Sequence, residues 1–341
     1  MSELLEDIAV AMVADGQGLL AADESTGTIK KRFDQINVES TEANRRDYRE
    51  MLFRADDAMK QHVSGVILFD ETLRQAARDG TPLVDLIKAT GAVPGIKVDK
   101  GAQPLAGFPE EKVTEGLDGL RERLAEYYDL GARFAKWRSV INIAEDNPTA
   151  NAVQANAHGL ARYAALCQEA GIVPIVEPEV LMDGPTSVHD AETCYEVTEG
   201  VLNAVFSELY QADVLLEGMI LKPNMVIAGK GCADQASAEQ VAELTVRCLK
   251  STVPAAVPGI AFLSGGQSEK QATENLSLMN AMGDLPWKLT FSYGRALQQA
   301  ALNAWKGKDE NWEAGQAAFA HRAKMNGLAA QGKWSAAQDN A

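Results

Sequence analysis

Eight short apolar runs, with polar or charged residues at or near their ends, set the fold of this 341-residue chain. Segments of helical periodicity separate the runs, because apolar residues recur there every three or four positions. Near-continuous apolar strands that alternate with helices indicate a parallel sheet covered on both faces. The runs cover 18–23, 64–70, 93–99, 132–141, 172–178, 217–222, 259–264 and 288–294.

Eight strand–helix units in one uninterrupted chain predict an α/β fold of the (β/α)8 TIM-barrel type. The clearest helical segments are 151–170, 190–211 and 237–250. A doubly wound open sheet is the alternative, but it usually needs fewer strands. No G-x-G-x-x-G sequence follows the first run, as many such sheets would require. The barrel is therefore the predicted fold.

A single barrel domain is predicted over 1–334. The acidic, amphipathic stretch 2–15 predicts an additional N-terminal helix rather than a signal peptide, because it lacks a basic start and an unbroken apolar core. The segment 335–341 is small and polar, with no apolar periodicity to anchor it. We expect it to be a mobile C-terminal tail.

Charge and cysteine spacing restrict the partners. The chain has 48 acidic and 32 basic side chains, a formal charge of −16, so nucleic acid and anionic membranes are poor partners. The longest uncharged stretch, 251–268, is broken by proline and glycine and does not predict a membrane span. Four cysteines lie too far apart for a zinc or redox motif. These features predict a cytoplasmic protein with reduced thiols.

Charged side chains collect at the ends of the predicted strands, where barrels place their chemistry. Single charges often end strands simply because the chain emerges into water. Three lysines among apolar neighbours are less easily explained in that way. The candidates are Asp23, Asp70, Lys97 with Asp99, Lys136 with Arg138, Glu177 with Glu179, Lys222, Ser264 and Arg295.

A desolvated lysine beside other cations has a lowered pKa, so its neutral amine can attack carbonyl groups. The resulting iminium accepts electrons and allows adjacent carbon–carbon bonds to break without a metal. Glu177 and Asp23 could move the protons that this chemistry requires. Only four histidines occur, which disfavours a zinc site. A two-carboxylate glycosidase would leave the lysines without a task.

Two glycine-containing turns suggest phosphate binding. Ser264-Gly265-Gly266 follows the seventh run and Gly294-Arg295 follows the eighth, a place where barrels often bind phosphate through backbone N–H groups and a cation. A second anion site could follow the first run. Its candidates are Ser25, Thr28 and Arg32, although Ser25 could equally be a helix N-cap.

Seven ordered motifs resemble those of class I fructose-1,6-bisphosphate aldolases, which act through a lysine Schiff base. The resemblance extends from about Leu4 to Trp334. It implies a barrel fold, a homotetramer, and no metal or other cofactor. The motifs are 19–27 (LLAADESTG), 95–101 (GIKVDKG), 134–138 (FAKWR), 175–179 (IVEPE), 221–225 (LKPNM), 262–267 (FLSGGQ) and 290–296 (TFSYGRA).

The resemblance also implies roles for individual residues. Lys222 is the Schiff-base lysine and Glu177 the main proton-transfer residue. Asp23 and Lys136 act at the bond that breaks, while Glu179 and Lys97 support the charge network. The substrate-binding residues that it implies are Arg32, Ser264, Gly265, Gly266, Ser292, Gly294 and Arg295. The residue pattern adds Ser25, Thr28 and Arg138 as further candidates for phosphate binding.

The expected reaction is the reversible cleavage of fructose 1,6-bisphosphate to glycerone phosphate and glyceraldehyde 3-phosphate, a step of glycolysis and gluconeogenesis. Alternatives are a Schiff-base aldolase for another sugar phosphate, a phosphosugar isomerase, or a catalytically silent barrel that serves as a scaffold. One departure is at the C-terminus. Animal members of the family end in a tyrosine, whereas Tyr293 is the last tyrosine here.

Overall fold

A closed barrel of eight parallel strands forms the centre of the computed structural model, which describes residues 4–183 and 187–340. Each strand pairs in parallel with both neighbours, and helices cover the outside of the barrel. The predicted fold class is therefore confirmed. The barrel strands are β1 (Gly18–Ala22), β2 (Val63–Leu68), β3 (Val93–Lys97), β6 (Phe134–Ile141), β7 (Val173–Val180), β8 (Ile220–Leu221), β9 (Gly259–Phe262) and β10 (Lys288–Tyr293).

Fourteen α-helices occur among the described residues, and most of them follow a strand and pack against the barrel. They are α1 (Leu5–Met12), α2 (Thr26–Asp34), α3 (Glu42–Phe53), α4 (Asp56–His62), α5 (Asp70–Arg74), α6 (Leu83–Ala89), α7 (Leu120–Asp129), α8 (Ala150–Glu169), α9 (Ala191–Gln211), α10 (Ala238–Thr252), α11 (Glu269–Ala281), α12 (Arg295–Trp305), α13 (Trp312–Ala329) and α14 (Ala336–Asp339).

Each of the three predicted helices begins directly after a residue whose side chain caps its N-terminus. Asp190, Ser237 and Thr149 precede α9, α10 and α8, and each side chain accepts a hydrogen bond from a backbone N–H of the first turn. At α10 the cap is reciprocal, because the Gln240 side chain also accepts from the backbone N–H of Ser237. Such caps satisfy N–H groups that have no partner within the helix.

The core has an outer and an inner part. A large cluster fills the space between the strands and the surrounding helices. Inside the barrel, Leu19, Phe134 and Ile175 belong to a smaller cluster that also contains residues of α1. Helix α1 therefore closes the N-terminal end of the barrel, as an additional N-terminal helix should. The opposite end, where the strands terminate, stays open.

Two features differ from the sequence prediction. The strand β8 is only two residues long, because Leu216–Gly218 forms a turn of 3-10 helix. The ladder still continues past β8, since the Lys222 N–H donates to the Val176 carbonyl at 2.8 Å. An antiparallel hairpin of β4 (Ala102–Pro104) and β5 (Lys112–Thr114) follows β3 and was not expected. Its three-residue strands are too short to give a hydrophobic pattern.

Contacts of the C-terminal segment correct the expectation that nothing anchors 335–341. Residues 336–339 form α14, and Asp339 is buried, with 7% of its surface exposed. Its carboxylate accepts hydrogen bonds from Arg322 and Trp334. The sequence could not show this anchor, because Arg322 belongs to a different helix and its burial depends on tertiary packing. The division of the chain at residue 334 stays a prediction.

Within 4–183 and 187–340, none of the helices combines the length and apolar character that a membrane crossing requires. The longest, α9 with 21 residues, carries glutamates along its length.

Candidate active site

A cavity of about 500 Å³ lies at the C-terminal ends of the barrel strands. Fifteen of the sixteen predicted site residues line it, and they come from the ends of different strands and from the loops that follow. Gly266 does not line the cavity, and neither does Asp70, which pairs with Arg74 and Tyr127. The fifteen are Asp23, Ser25, Thr28, Arg32, Lys97, Lys136, Arg138, Glu177, Glu179, Lys222, Ser264, Gly265, Ser292, Gly294 and Arg295.

Two lysines and two carboxylates form a continuous chain of ion pairs at the base of the cavity. Lys136 Nζ donates to Asp23 Oδ2 at 2.9 Å and lies 3.1 Å from Glu177 Oε2. Lys222 Nζ lies 3.3 Å from the other oxygen of the same carboxylate, Glu177 Oε1. All four residues are buried. Glu177 therefore joins the two lysines.

The pKa values of the two lysines shift in opposite directions. Burial lowers the pKa of Lys222 and the nearby Lys136 lowers it further, against the opposing effect of Glu177. For Lys136, burial also lowers the pKa, but Asp23 and Glu177 outweigh it and the pKa rises above its ordinary value. Burial would raise the pKa of Asp23, yet Lys136 and Lys222 hold it below its ordinary value. Lys222 is thus the lysine whose neutral amine is favoured.

Strand geometry accounts for the second row of charges. Residues two apart on a strand face the same side, so Arg138 and Glu179 point into the cavity with Lys136 and Glu177. Arg138 Nε donates to Glu179 Oε2, and Lys97 Nζ lies 3.3 Å from Asp99 Oδ1. Burial lowers the pKa of Arg138, but Glu179 outweighs it and raises the pKa above its ordinary value.

The first turn of α2 forms one rim of the cavity. Ser25 is its N-cap: its hydroxyl accepts from the Thr28 backbone N–H at 3.4 Å and lies 3.1 Å from the Thr28 hydroxyl. Ser25 is therefore the N-cap that the sequence allowed; it also lines the cavity, and the anion site there stays a prediction. Arg32, two helical turns after Ser25, pairs with Glu24 at the same rim.

The neighbouring rim follows β9 and β10, since β10 pairs with β1 in the barrel. Ser264, Gly265 and Gly294 line the cavity there, and Arg295 opens helix α12. The Ser292 hydroxyl is buried and has no hydrogen-bond partner within the described part of the chain. Backbone N–H groups at the start of a helix, with an arginine beside them, suit an anion.

Gly266 lies behind this rim rather than in it. Its φ of +76° is in the left-handed region, and an added Cβ would lie 2.3 Å from Met182 Cγ. The residue allows the loop after β9 to turn tightly against the loop after β7. The sequence does not show that Gly265 lines the cavity and Gly266 does not, because the two glycines are adjacent in the same turn.

Several further residues line the cavity that the strand-end argument did not select: Glu24, Lys31, Gln35, Gly101, Ala102, Asp183 and Gln299. Asp99 lines it as well. Asp99 was noted as a partner of Lys97 but given no role. Lys31 lies on α2 beside Arg32, and Gln35 is the residue that caps the C-terminal end of that helix. Helical periodicity around a chosen residue could have found Gln35, which lies three positions from Arg32.

A buried lysine with a lowered pKa, in contact with a carboxylate at the open end of a barrel, defines a class of enzyme. Such enzymes activate carbonyl compounds through a covalent bond to a lysine amine. Within the described residues, no group of three or more His, Cys, Asp or Glu side chains has the geometry to hold a metal ion.

Comparisons with known proteins identify the family. The family model described as glycolytic fructose-bisphosphate aldolase class-I matches residues 3–341. A probable fructose-bisphosphate aldolase class 1 of Xanthomonas campestris is 61% identical over 333 residues, which are 97% of this chain and 98% of that protein. A fructose-bisphosphate aldolase of Echinococcus multilocularis is 55% identical over 335 residues, covering 98% and 91% of the two chains.

A solved structure agrees with these sequence matches. Fructose-bisphosphate aldolase from Plasmodium falciparum, crystallised with TRAP and a small-molecule inhibitor, superposes with a TM-score of 0.93 at 51% identity. The match covers 97% of this chain and 95% of that one. The chain therefore belongs to the class I fructose-bisphosphate aldolase family, and it is a lyase. The resemblance found in the sequence is confirmed.

Proposed function

We propose that this chain cleaves fructose 1,6-bisphosphate reversibly, with Lys222 as the residue that forms the Schiff base. The observation that carries the proposal is the chain of contacts from Lys222 through Glu177 and Lys136 to Asp23. It brings together an amine whose pKa is lowered, a carboxyl group within reach of that amine, and an ammonium group beside a second carboxylate. Aldol cleavage through an imine requires these groups.

In the proposed reaction the Lys222 amine attacks the C2 carbonyl of the open-chain sugar and forms a carbinolamine. Glu177, 3.3 Å from Lys222 Nζ, gives a proton to the departing hydroxyl, and water leaves as the iminium forms. The C3–C4 bond then breaks and its electron pair moves into the iminium, which becomes an enamine. The proton of the C4 hydroxyl passes to a carboxylate, and the aldehyde product leaves.

Asp23 and Lys136 are proposed to act where that bond breaks. The Lys136 ammonium, with its pKa raised by Asp23 and Glu177 against the effect of burial, stabilises negative charge that develops on the C4 oxygen. Asp23 holds the ammonium in place through the 2.9 Å contact and accepts the hydroxyl proton. A proton delivered to the enamine carbon, by Glu177 or water, and hydrolysis of the imine complete the cycle.

Charge distribution supports a substrate with two phosphates. The chain as a whole carries a formal charge of −16, yet seven cationic side chains and only six acidic ones line the cavity. The cations come from several places around the rim, namely α2, β3, β6, the end of β8 and the start of α12, so positive charge is available to more than one phosphate. We assign one phosphate to Ser264, Gly265, Ser292, Gly294 and Arg295. The other is assigned to Ser25, Thr28, Arg32, Lys97 and Arg138.

A homotetramer in the cytoplasm remains part of the proposal, as the family resemblance implies. The expected result of light scattering on the purified protein is a mass four times that of the 36.6 kDa chain. A mass of one chain at assay concentrations would contradict the tetramer and leave the proposed reaction untouched.

The proposed function is tested by a coupled assay with fructose 1,6-bisphosphate in the presence of EDTA. We expect turnover that the chelator does not change, and a loss of at least about 10⁴-fold in kcat for Lys222→Met, because the covalent step is removed. Lys60→Met is the matched control, since Lys60 is an exposed residue that pairs with Asp56 on α4.

Four results would contradict the proposal. Loss of activity in EDTA would point to a metal-dependent reaction. Full activity of Lys222→Met would exclude the assigned lysine. A wild-type protein that binds the sugar bisphosphate without turnover would favour the silent scaffold, and faster turnover of another sugar phosphate would favour the alternative aldolase.

A further inference from the structure

Glu24 is a buried carboxylate at the edge of the cavity, next in sequence to Asp23, and the proposed reaction gives it no role. Only 6% of its surface is exposed. Its Oε1 atom accepts hydrogen bonds from Arg32 Nη1 and from Gln298 Nε2, the latter at 3.0 Å. Its own carbonyl oxygen accepts from Arg49 Nη2 at 2.8 Å. A buried charge is costly unless its partners are well placed, so this arrangement is specific.

The partner of Glu24 is itself fixed by the barrel. Gln298, on α12, is 1% exposed and donates from Nε2 to the Ala21 carbonyl of β1 at 2.7 Å. Its Oε1 atom accepts from the Tyr48 hydroxyl of α3 at 3.2 Å. The amide therefore has one orientation in which all its partners are satisfied. Glu24 Oε1 is held at a position set by three elements.

Arg32 is held from a second side as well. Its Nη2 atom lies 3.4 Å from the position that a Cβ on Gly294 would occupy. The guanidinium thus packs between Glu24 and the turn that precedes α12. An arginine that is free in solution loses roughly 2 kcal/mol of side-chain entropy when it is fixed on a ligand. A residue that fixes it beforehand lowers that cost.

We propose that Glu24 is a positioning residue, which holds the Arg32 guanidinium in the orientation that binds a substrate phosphate. The inference rests on the proposed function, in which Arg32 contacts one of the two phosphates. It assigns Glu24 an effect on substrate binding rather than on the bond-breaking step. Gln298 has a positioning role as well, since its side chain sets the position of the Glu24 carboxylate.

Glu24→Asp tests this role because it keeps the negative charge and withdraws it by one methylene group. We expect the KM for fructose 1,6-bisphosphate to rise about fivefold, the effect of weakening one charge-assisted hydrogen bond, and kcat to stay within about twofold. Arg32→Ala should raise KM further. The double variant Glu24→Asp/Arg32→Ala should have the KM of Arg32→Ala alone, because Glu24 acts through Arg32.

Glu39→Asp is the matched control, an exposed glutamate outside the cavity, and it should leave KM unchanged. Additive effects in the double variant would mean that Glu24 has a general structural role and would overturn the inference. An unchanged or lower KM in Glu24→Asp would do so too. If Glu24→Asp fails to fold, Gln298→Met takes its place, because this change removes the amide that donates to Glu24 Oε1. We expect the same rise in KM, and again no additional rise when it is combined with Arg32→Ala.

Failure of the proposed function gives a different result. In that case the wild-type protein does not turn over fructose 1,6-bisphosphate, or Arg32→Ala leaves its KM unchanged. If only the inference about Glu24 is wrong, the wild-type protein still turns over fructose 1,6-bisphosphate and Arg32→Ala still raises its KM. The KM then no longer depends on Glu24 in the way described.

Discussion

Lys222 and Lys136 show how neighbouring residues of the same type acquire different chemistry. Both are buried, and both lie within 3.3 Å of a Glu177 oxygen. Lys136 has a second carboxylate, Asp23, at 2.9 Å, and its pKa rises despite burial. Among the described residues, Glu177 is the one carboxylate within ion-pair distance of Lys222. The pKa of Lys222 falls because burial and the Lys136 charge together outweigh that contact. The second carboxylate beside Lys136 thus accounts for the opposite directions of the two pKa shifts.

This balance predicts the effect of Glu177→Gln on Lys222. Glu177 favours the charged form of Lys222, so removing its charge should lower the pKa of this lysine further below its ordinary value. Competitive labelling with acetic anhydride across a pH series, read by peptide mass, should give a midpoint for Lys222 at lower pH than in the wild type. The same variant should cleave substrate about 10²–10⁴ times more slowly, because general acid–base catalysis is lost.

Glu179→Gln is the matched control for this measurement. Glu179 pairs with Arg138 rather than with Lys222, so the labelling midpoint should not move. A midpoint for Glu177→Gln at the wild-type pH or above it would show that the carboxylate does not act on Lys222 as described.

Strand-end reasoning could find most of the cavity but not the residues that support it. Lys136 and Glu177 stand two positions before a same-side charged residue on long apolar strands, a pattern visible in the sequence. Glu24 owes its position to Gln298, which is 274 residues away in the chain. No local pattern records a contact of that separation. Glu24 was quoted in a motif, but only its neighbour Asp23 received a role.

At the scale of elements, the loop from β9 to α11 joins the proposed phosphate site to the outer helices. Ser268 caps α11 with a reciprocal cap, and Gly266 supplies the left-handed turn before it. The loop after β7 packs against this turn through Met182. The position of Ser264 and Gly265 therefore depends on how closely the two loops approach each other.

Gly266→Ala should lower the free energy of unfolding more than a matched change elsewhere. An alanine at φ +76° costs about 1–2 kcal/mol, and the contact with Met182 adds about 1–3 kcal/mol of overpacking. Gly107→Ala is the control, because Gly107 has φ +82° and nothing within 4 Å of an added Cβ. Urea unfolding of both variants measures the difference. Equal losses would mean that the two loops are not in close contact.

The sequence predicted elements best where periodicity and caps agreed. Predicted 190–211 and 237–250 correspond to α9 and α10, whose starts follow Asp190 and Ser237. It failed where an element is short: β4 and β5 have three residues each, and the turn at Leu216–Gly218 shortened β8. In these places pairing partners and tertiary contacts, rather than local preference, decide the structure.

At the scale of the whole molecule, the last helices close the fold around a buried ion pair. Arg322 of α13 pairs with Asp339 of α14, and its Nη2 atom donates to the Thr273 hydroxyl of α11 at 2.7 Å. Arg322 and Asp339 are both buried. The pair therefore ties the C-terminal segment to two helices of the barrel wall.

Asp339→Asn should lower the free energy of unfolding by about 3 kcal/mol, because it leaves the Arg322 charge buried without its partner. Burial would raise the pKa of Asp339, but Arg322 holds it below its ordinary value of 3.8. The stabilisation is therefore present above about pH 4 and lost as pH falls through the lower, folded-state value. Thermal or urea unfolding between pH 7 and pH 3 should show the wild-type advantage shrink below pH 4.

Asp309→Asn provides the matched surface control, because Asp309 pairs with Arg78 while three-quarters exposed. It should change stability by less than about 0.5 kcal/mol at any of these pH values. A similar small effect of Asp339→Asn would show that the C-terminal segment contributes nothing to the folded state.

Borohydride trapping tests the central assignment most directly, namely that Lys222 is the nucleophile. Reduction of the enzyme in the presence of glycerone phosphate converts an imine to a stable secondary amine on the lysine that formed it. Peptide mass spectrometry should then find the added group on Lys222 alone, and Lys222→Met should remain untagged. The added group on Lys136 or Lys97, or no tag on an enzyme that turns over its substrate, would contradict the assignment.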